Sequence, residues 1–146
     1  KRFKYIYQVN QGLASARNTG IRNSSGIYIL PLDSDDKIGA TYLEKAISYY
    51  QQHPNTKLVY CRAEKFGAEQ GEWMLPMYEY QKLRMNNMIF CSCIYKREDY
   101  NNTQGYNENM RGGWEDWDFL LSLLSPQDYV YQINEILFYY RIQDKF

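Results

Sequence analysis

The chain has 146 residues, a length that fits one domain with a core of its own. Lysine plus arginine and aspartate plus glutamate each total 17, so the formal net charge is zero, without the basic excess of a non-specific nucleic-acid binder. Hydrophobic residues make up 45% and charged residues 23%, a globular balance in which no apolar run is long enough to span a bilayer.

Residues 3–9 alternate and are rich in tyrosine and β-branched side chains, which predicts a short strand. Asn10-Gln11-Gly12 predicts a turn, and Leu13, Ala14, Ala16 and Ile21 predict a helix over 13–23, ended by Ser24-Ser25-Gly26. Residues 27–32 have the length and content of a buried strand and run into an acidic loop. Gly39-Ala40-Thr41 precedes a helix with Leu43, Ala46, Ile47 and Tyr50 on one face; Thr41 and Glu44 fit a capping box, and Pro54 stops the helix. A strand over 57–66, a hairpin or excursion over 71–76, a short helix over 79–86 and a strand over 88–95 follow. Residues 101–113 read as a loop. A helix over 114–124 carries Trp117, Leu120, Leu121 and Leu124 on one side, and Ser125-Pro126 breaks it. Strands over 129–133 and 136–142 close the chain. The early strand–helix alternation implies an α/β fold with a mostly parallel core sheet and mixed C-terminal strands.

Three segments carry candidate chemistry. At the end of the second strand, Asp33, Asp35 and Asp36 crowd together with Ser34 between the first two. Like charges at that spacing need a cation or another compensating partner to stay ionised. Hard oxygen ligands suit Mn²⁺ or Mg²⁺, which favour phosphate oxygens in turn, and the carboxyl ends of strands are where α/β sheets bind ligands. A helix-capping cluster is the structural alternative, although a cap uses one carboxylate. In the second segment, Asn10 to Gly20, Arg17 offers a planar fork suited to phosphate and Gly12 permits close backbone approach. An ordinary amphipathic helix after a turn explains the same residues. The third is Gly112-Gly113-Trp114-Glu115-Asp116-Trp117-Asp118, three acids and two tryptophans at a helix start. A carboxylate facing a cleft there can act as a general base, and the tryptophans can form a platform for a sugar ring; compensation of the helix dipole is the alternative.

Cys61, Cys91 and Cys93 are an odd set that reads as buried thiols in a reducing compartment. The 16 tyrosines offer stacking surfaces or simply fill a core.

In order, these motifs resemble the family 2 glycosyltransferases of the GT-A fold. The family's Asn-x-Gly, Ala-Arg-Asn-x-Gly and Asp-x-Asp-Asp match Asn10 and Gly12, Ala16 to Gly20, and Asp33 to Asp36. Its later Asn-x-Ile, Glu-Asp and Tyr-Arg are similar to Asn87 to Ile89, Glu115-Asp116 and Tyr140-Arg141. The resemblance implies an inverting, metal-dependent transferase. Asp116 would be the catalytic base, with Glu115, Trp114 and Asn87 on the acceptor side. Arg17, Asp33, Asn10 and Gly12 would hold the nucleotide sugar, and Asp35 with Asp33 would bind Mn²⁺ or Mg²⁺. A histidine that often follows the closing Tyr-Arg is replaced by Gln143. Family members begin with a further strand–helix–strand unit, so residues 1–146 are expected to form one domain that is the C-terminal portion of a catalytic domain. The implied partners are a nucleotide-diphosphate sugar and a glycan or lipid-linked acceptor, in bacterial polysaccharide assembly. The implied location is the cytoplasm, at the inner face of the membrane. Three other readings stay open: a carbohydrate- or nucleotide-binding module without turnover, a phosphatase or phosphotransferase with an aspartyl nucleophile, and a purely structural domain.

Overall fold

A computed structural model describes residues 3–144. In chain order its elements are α1 (Leu13–Arg22), β1 (Tyr28–Ile29), β2 (Lys37–Ile38), α2 (Tyr42–Gln52), β3 (Thr56–Gly67), β4 (Gly71–Trp73), α3 (Tyr80–Leu83), β5 (Ile94–Lys96), α4 (Arg97–Asn101), α5 (Glu115–Leu123) and β6 (Tyr129–Ile142). One mixed sheet has the order β1-β5-β3-β6-β2, with β4 folded back on β3 as the expected hairpin. The long strands β3 and β6 run parallel at its centre. Every other pairing is antiparallel among the described residues. The parallel component is therefore confined to the central pair, and the short flanking strands supply the mixed part.

The α/β class and most elements follow the sequence, with these differences. Residues 3–9 form no strand; Phe3, Tyr5, Tyr7 and Val9 are exposed, and no described strand lies alongside to accept their backbone hydrogen bonds. The strand over 27–32 shrinks to Tyr28–Ile29 because Pro31 has no N–H to offer a ladder. The strand over 88–95 shrinks to Ile94–Lys96: Met88, Ile89 and Phe90 are buried as expected, but as irregular backbone. The helix over 79–86 shortens to Tyr80–Leu83, and helix α4 and the two-residue strand β2 have no counterpart among the expected elements. The two closing strands are a single one. β6 crosses the gap with a bulge, Cys61 pairing with Ile133 and Arg62 with Ile136, so that Asn134 and Glu135 are extra.

The helices form where periodicity placed them, but the α2 capping box is not made. Thr41 sits at φ −98, ψ 1, outside the extended conformation that aims a hydroxyl at the first turn, and it makes no side-chain cap. Tyrosine accounts for much of the core. Tyr42, Tyr50, Tyr60 and Tyr95 are almost fully enclosed. Their burial is tolerable where the hydroxyls are satisfied: Tyr42 Oη donates to Ser92 O at 2.8 Å, and Tyr50 Oη to Ile94 O at 2.8 Å. Two clamps fix the elements around the site. Asn18 of α1 donates to Tyr106 O (2.8 Å) and accepts from Tyr106 N (2.9 Å) and Tyr100 Oη (2.8 Å). Trp117 Nε1 of α5 donates to Leu83 O at the end of α3 (2.7 Å). Among the described residues no helix is long and apolar enough to cross a membrane.

Candidate active site

Three segments far apart in sequence meet at one buried cation. Arg17 points from α1 and is 7% exposed. Its Nη1 donates to Glu115 Oε1 at 2.6 Å, and its Nη2 to Asp33 Oδ1 at 3.0 Å. Glu115, at the start of α5, is equally enclosed, while Asp33 is 28% exposed. The guanidinium thus neutralises the acid of the turn between β1 and β2 and the acid that opens the last helix. Both terminal nitrogens of Arg17 are engaged by protein carboxylates, a fit that sequence order alone does not reveal. Cys91 Sγ lies 3.7 Å from Asp33 Oδ2. Burial, reinforced by Asp33, pushes its thiol up to about 12, so it is neutral in this setting.

These groups line a cavity of about 530 Å³ together with Asn87, Trp114 and Asp116. Its apolar walls come from Trp73, Leu75, Phe90, Phe138 and Tyr140. This mix of aromatic walls and a few polar groups is typical of small-molecule sites. Of these aromatic walls only Tyr140 belongs to a sequence motif; Trp73 comes from the hairpin, Phe90 from the irregular 88–93 segment and Phe138 from β6.

Asp116 is half-buried beside Glu115, with Oδ1 accepting from Trp117 N at 2.8 Å. Burial raises its pKa above the ordinary carboxylate value; the Trp117 N–H opposes this, Glu115 adds to it and Arg17 opposes it. Trp114 stands just before α5 at φ 68, the only non-glycine residue in the left-handed region among those described, with 62% of its surface exposed. That conformation is strained for a bulky side chain, and such strain gathers at functional sites. The ring rests edge-on against Trp117, with centroids 5.7 Å apart.

The acidic turn is held from the far end of β6. Arg141 N donates to Asp36 Oδ1 (2.9 Å), Arg141 Nε to Asp35 O (3.0 Å) and Gln143 Nε2 to Asp35 Oδ2 (2.8 Å). Asp36 is buried with Oδ2 unpartnered, and burial raises its pKa. Asp35 shares the turn with Asp33 but does not line the cavity. Neither do Asn10 and Gly12, which form a local turn ahead of α1, Gly12 N donating to Asn10 Oδ1 at 3.0 Å. Among the described residues no three acids, histidines or cysteines converge as a ready-made metal cage. Asp33 and Asp35 nevertheless present hard oxygens of the kind that Mg²⁺ takes in ones and twos when substrate phosphates complete its shell.

Residues 1–117 match the family model described as Glycosyl transferase family 2. The chain is 31% identical over 141 residues to an uncharacterized glycosyltransferase of Haemophilus influenzae, covering 90% of this chain and 48% of that protein. It is 28% identical over 126 residues to the chondroitin synthase of Escherichia coli, covering 84% of this chain and 18% of that protein. The chain thus spans less than half the length of either relative. Among solved structures it resembles S. aureus TarS 1-349 in complex with UDP-GlcNAc, with a TM-score of 0.75 at 16% identity over 92% of this chain and 40% of that one. TarS 1-349 crystallised in complex with UDP gives 0.71. At that identity the likeness shows the fold, an α/β arrangement of the GT-A type.

Proposed function

The chain belongs to glycosyl transferase family 2, and from that membership and the shared cavity we propose that it supplies the acceptor and catalytic side of a domain that moves a sugar from a nucleotide diphosphate onto an acceptor hydroxyl. The observation that carries the reading is that Asp33 and Asp116 line one cavity, with Arg17 and Glu115 beside them. The bound UDP and UDP-GlcNAc of the TarS structures support a uridine-diphosphate sugar as the donor class. Asp116 takes the proton of the acceptor hydroxyl as its oxygen attacks the anomeric carbon. The bond from that carbon to the diphosphate oxygen breaks on the opposite side, and the electron pair leaves with the diphosphate. An upward-shifted carboxylate is a stronger base than an ordinary one, which suits this role. Glu115 is neutralised by Arg17 and so is unsuited to the same task. Trp114 and Asn87 line the acceptor side. Asp33 and Asp35 would hold Mn²⁺ or Mg²⁺, which would neutralise charge on the departing diphosphate. A glycan or lipid-linked acceptor and a place at the inner face of the membrane complete the proposal.

The test uses the intact polypeptide that carries this chain. Asp116→Asn should lower transfer by about 10²–10⁴-fold, the usual contribution of a general base. Calorimetry should find UDP-GlcNAc binding retained in that variant. Undiminished turnover would remove Asp116 from the mechanism. Donor binding by the wild type with neither transfer nor hydrolysis would favour the binding-only reading.

A further inference from the structure

A second cavity, of about 570 Å³, adjoins the first and shares two walls with it, Trp73 and Leu75. We propose that this groove is a saccharide subsite that takes the inner units of an oligosaccharide acceptor whose terminal hydroxyl lies at Asp116; the proposal rests on the transferase reading above. The lining includes a connected polar row. Arg62 Nε donates to Glu72 Oε1 at 2.8 Å, and Arg62 Nη1 to Asn134 Oδ1 at 3.3 Å, with Gln132 beyond. The same lining carries Trp73 and Tyr78, together with the exposed Met74 and Met77.

This chemistry selects among occupants. The one cation and one anion of the row, Arg62 and Glu72, are paired with each other, so the lining has no net charge to attract a diphosphate or a charged peptide. The row would leave the amide groups of Asn134 and Gln132 facing a lipid tail without partners, which is costly. A neutral polyhydroxylated ring answers both kinds of lining, with hydroxyls for the Asn, Gln, Arg and Glu groups and C–H faces for the aromatic ones. The pair itself is worth little to the fold, because both side chains are about one-third exposed.

The distances agree. Phe138 lines the first cavity and Asn134 the second, and four residues of one strand span at most about 13 Å at 3.3 Å each. A few linked sugar rings bridge that length. The bulge at Asn134 and Glu135 turns Asn134 out of the regular ladder, where it meets Arg62.

The experiment is retention on a glycan array by the intact polypeptide, wild type against Arg62→Ala and Asn134→Ala. Wild type should retain at least one oligosaccharide of three or more units tenfold better than its terminal monosaccharide, and both substitutions should bring that ratio close to one. Asn134→Ala, at an exposed bulge position, keeps the test valid if Arg62→Ala folds poorly. Retention independent of length in the wild type, or a ratio that neither substitution moves, overturns the subsite. Titration of the wild type with UDP-GlcNAc reports separately on the transferase reading, so the two failures are distinguishable.

Discussion

Replacing Arg17 with methionine should be among the most damaging single changes at the site. The helix itself loses little, since arginine and methionine have similar helix propensity. The damage lies in the charges left behind. Glu115 is 7% exposed and takes its 2.6 Å bond from Arg17, so the variant strands a carboxylate away from water. Removing one partner of a buried ion pair costs about 3–5 kcal/mol. Asp33, at 28% exposure, can rehydrate and adds about 1 kcal/mol at most. For a domain of this size each kcal/mol moves Tm by roughly 2–4 °C, so a fall of about 6–24 °C is expected. The double variant Arg17→Met/Glu115→Leu should regain most of the loss, because the stranded charge is gone. Thermal melts of the wild type, both single variants and the double variant measure the coupling. A loss of less than about 2 °C in Arg17→Met, or a double variant no more stable than that single one, would refute the claim that Arg17 holds the two acids in place.

Two further outcomes follow from the same geometry. Because burial raises the pKa of Asp116 in the folded protein, the fold binds that proton more tightly than the unfolded chain, and stability falls as pH climbs from the unfolded value through the raised one. Asp116→Asn should therefore melt higher than wild type at neutral pH, with the gain vanishing below about pH 4; a gain that persists in acid would contradict the assignment. Asn18→Ala leaves the Tyr106 N–H and carbonyl without partners and should cost roughly 2–6 kcal/mol, at about 1–3 kcal/mol per stranded buried group. Hydrogen exchange should then show the loop over 102–109 opening, and unchanged protection there would count against the clamp.

What the sequence disclosed was mostly local. The acidic turn, α1, α2 and α5 are each marked by periodicity or by charge crowding within a dozen residues, and they form within one or two residues of expectation. Motif order placed Asp33, Glu115, Asp116 and Asn87 near one another, and they line one cavity. Long-range facts stayed hidden. Nothing near Arg17 indicates that its partners lie 16 and 98 residues away. The parallel pairing of β3 with β6 rests on contacts across some seventy residues, and the two closing strands read as separate because Asn134 and Glu135 imitate a turn. Residues 3–9 show the converse, an alternating pattern with no described neighbour to pair with.

The bulge in β6 has a consequence for how such a protein can be retuned. The two surplus residues loop out between the portion of the strand that reaches Arg141, beside the acidic turn, and the portion that borders the second groove. Lengthening or shortening the chain at Asn134-Glu135 would be absorbed in the bulge itself, with the Arg141 half still in register beside the acidic turn. Variation in product size could then arise from a deletion or an insertion at a solvent-facing kink, with the chemistry left intact.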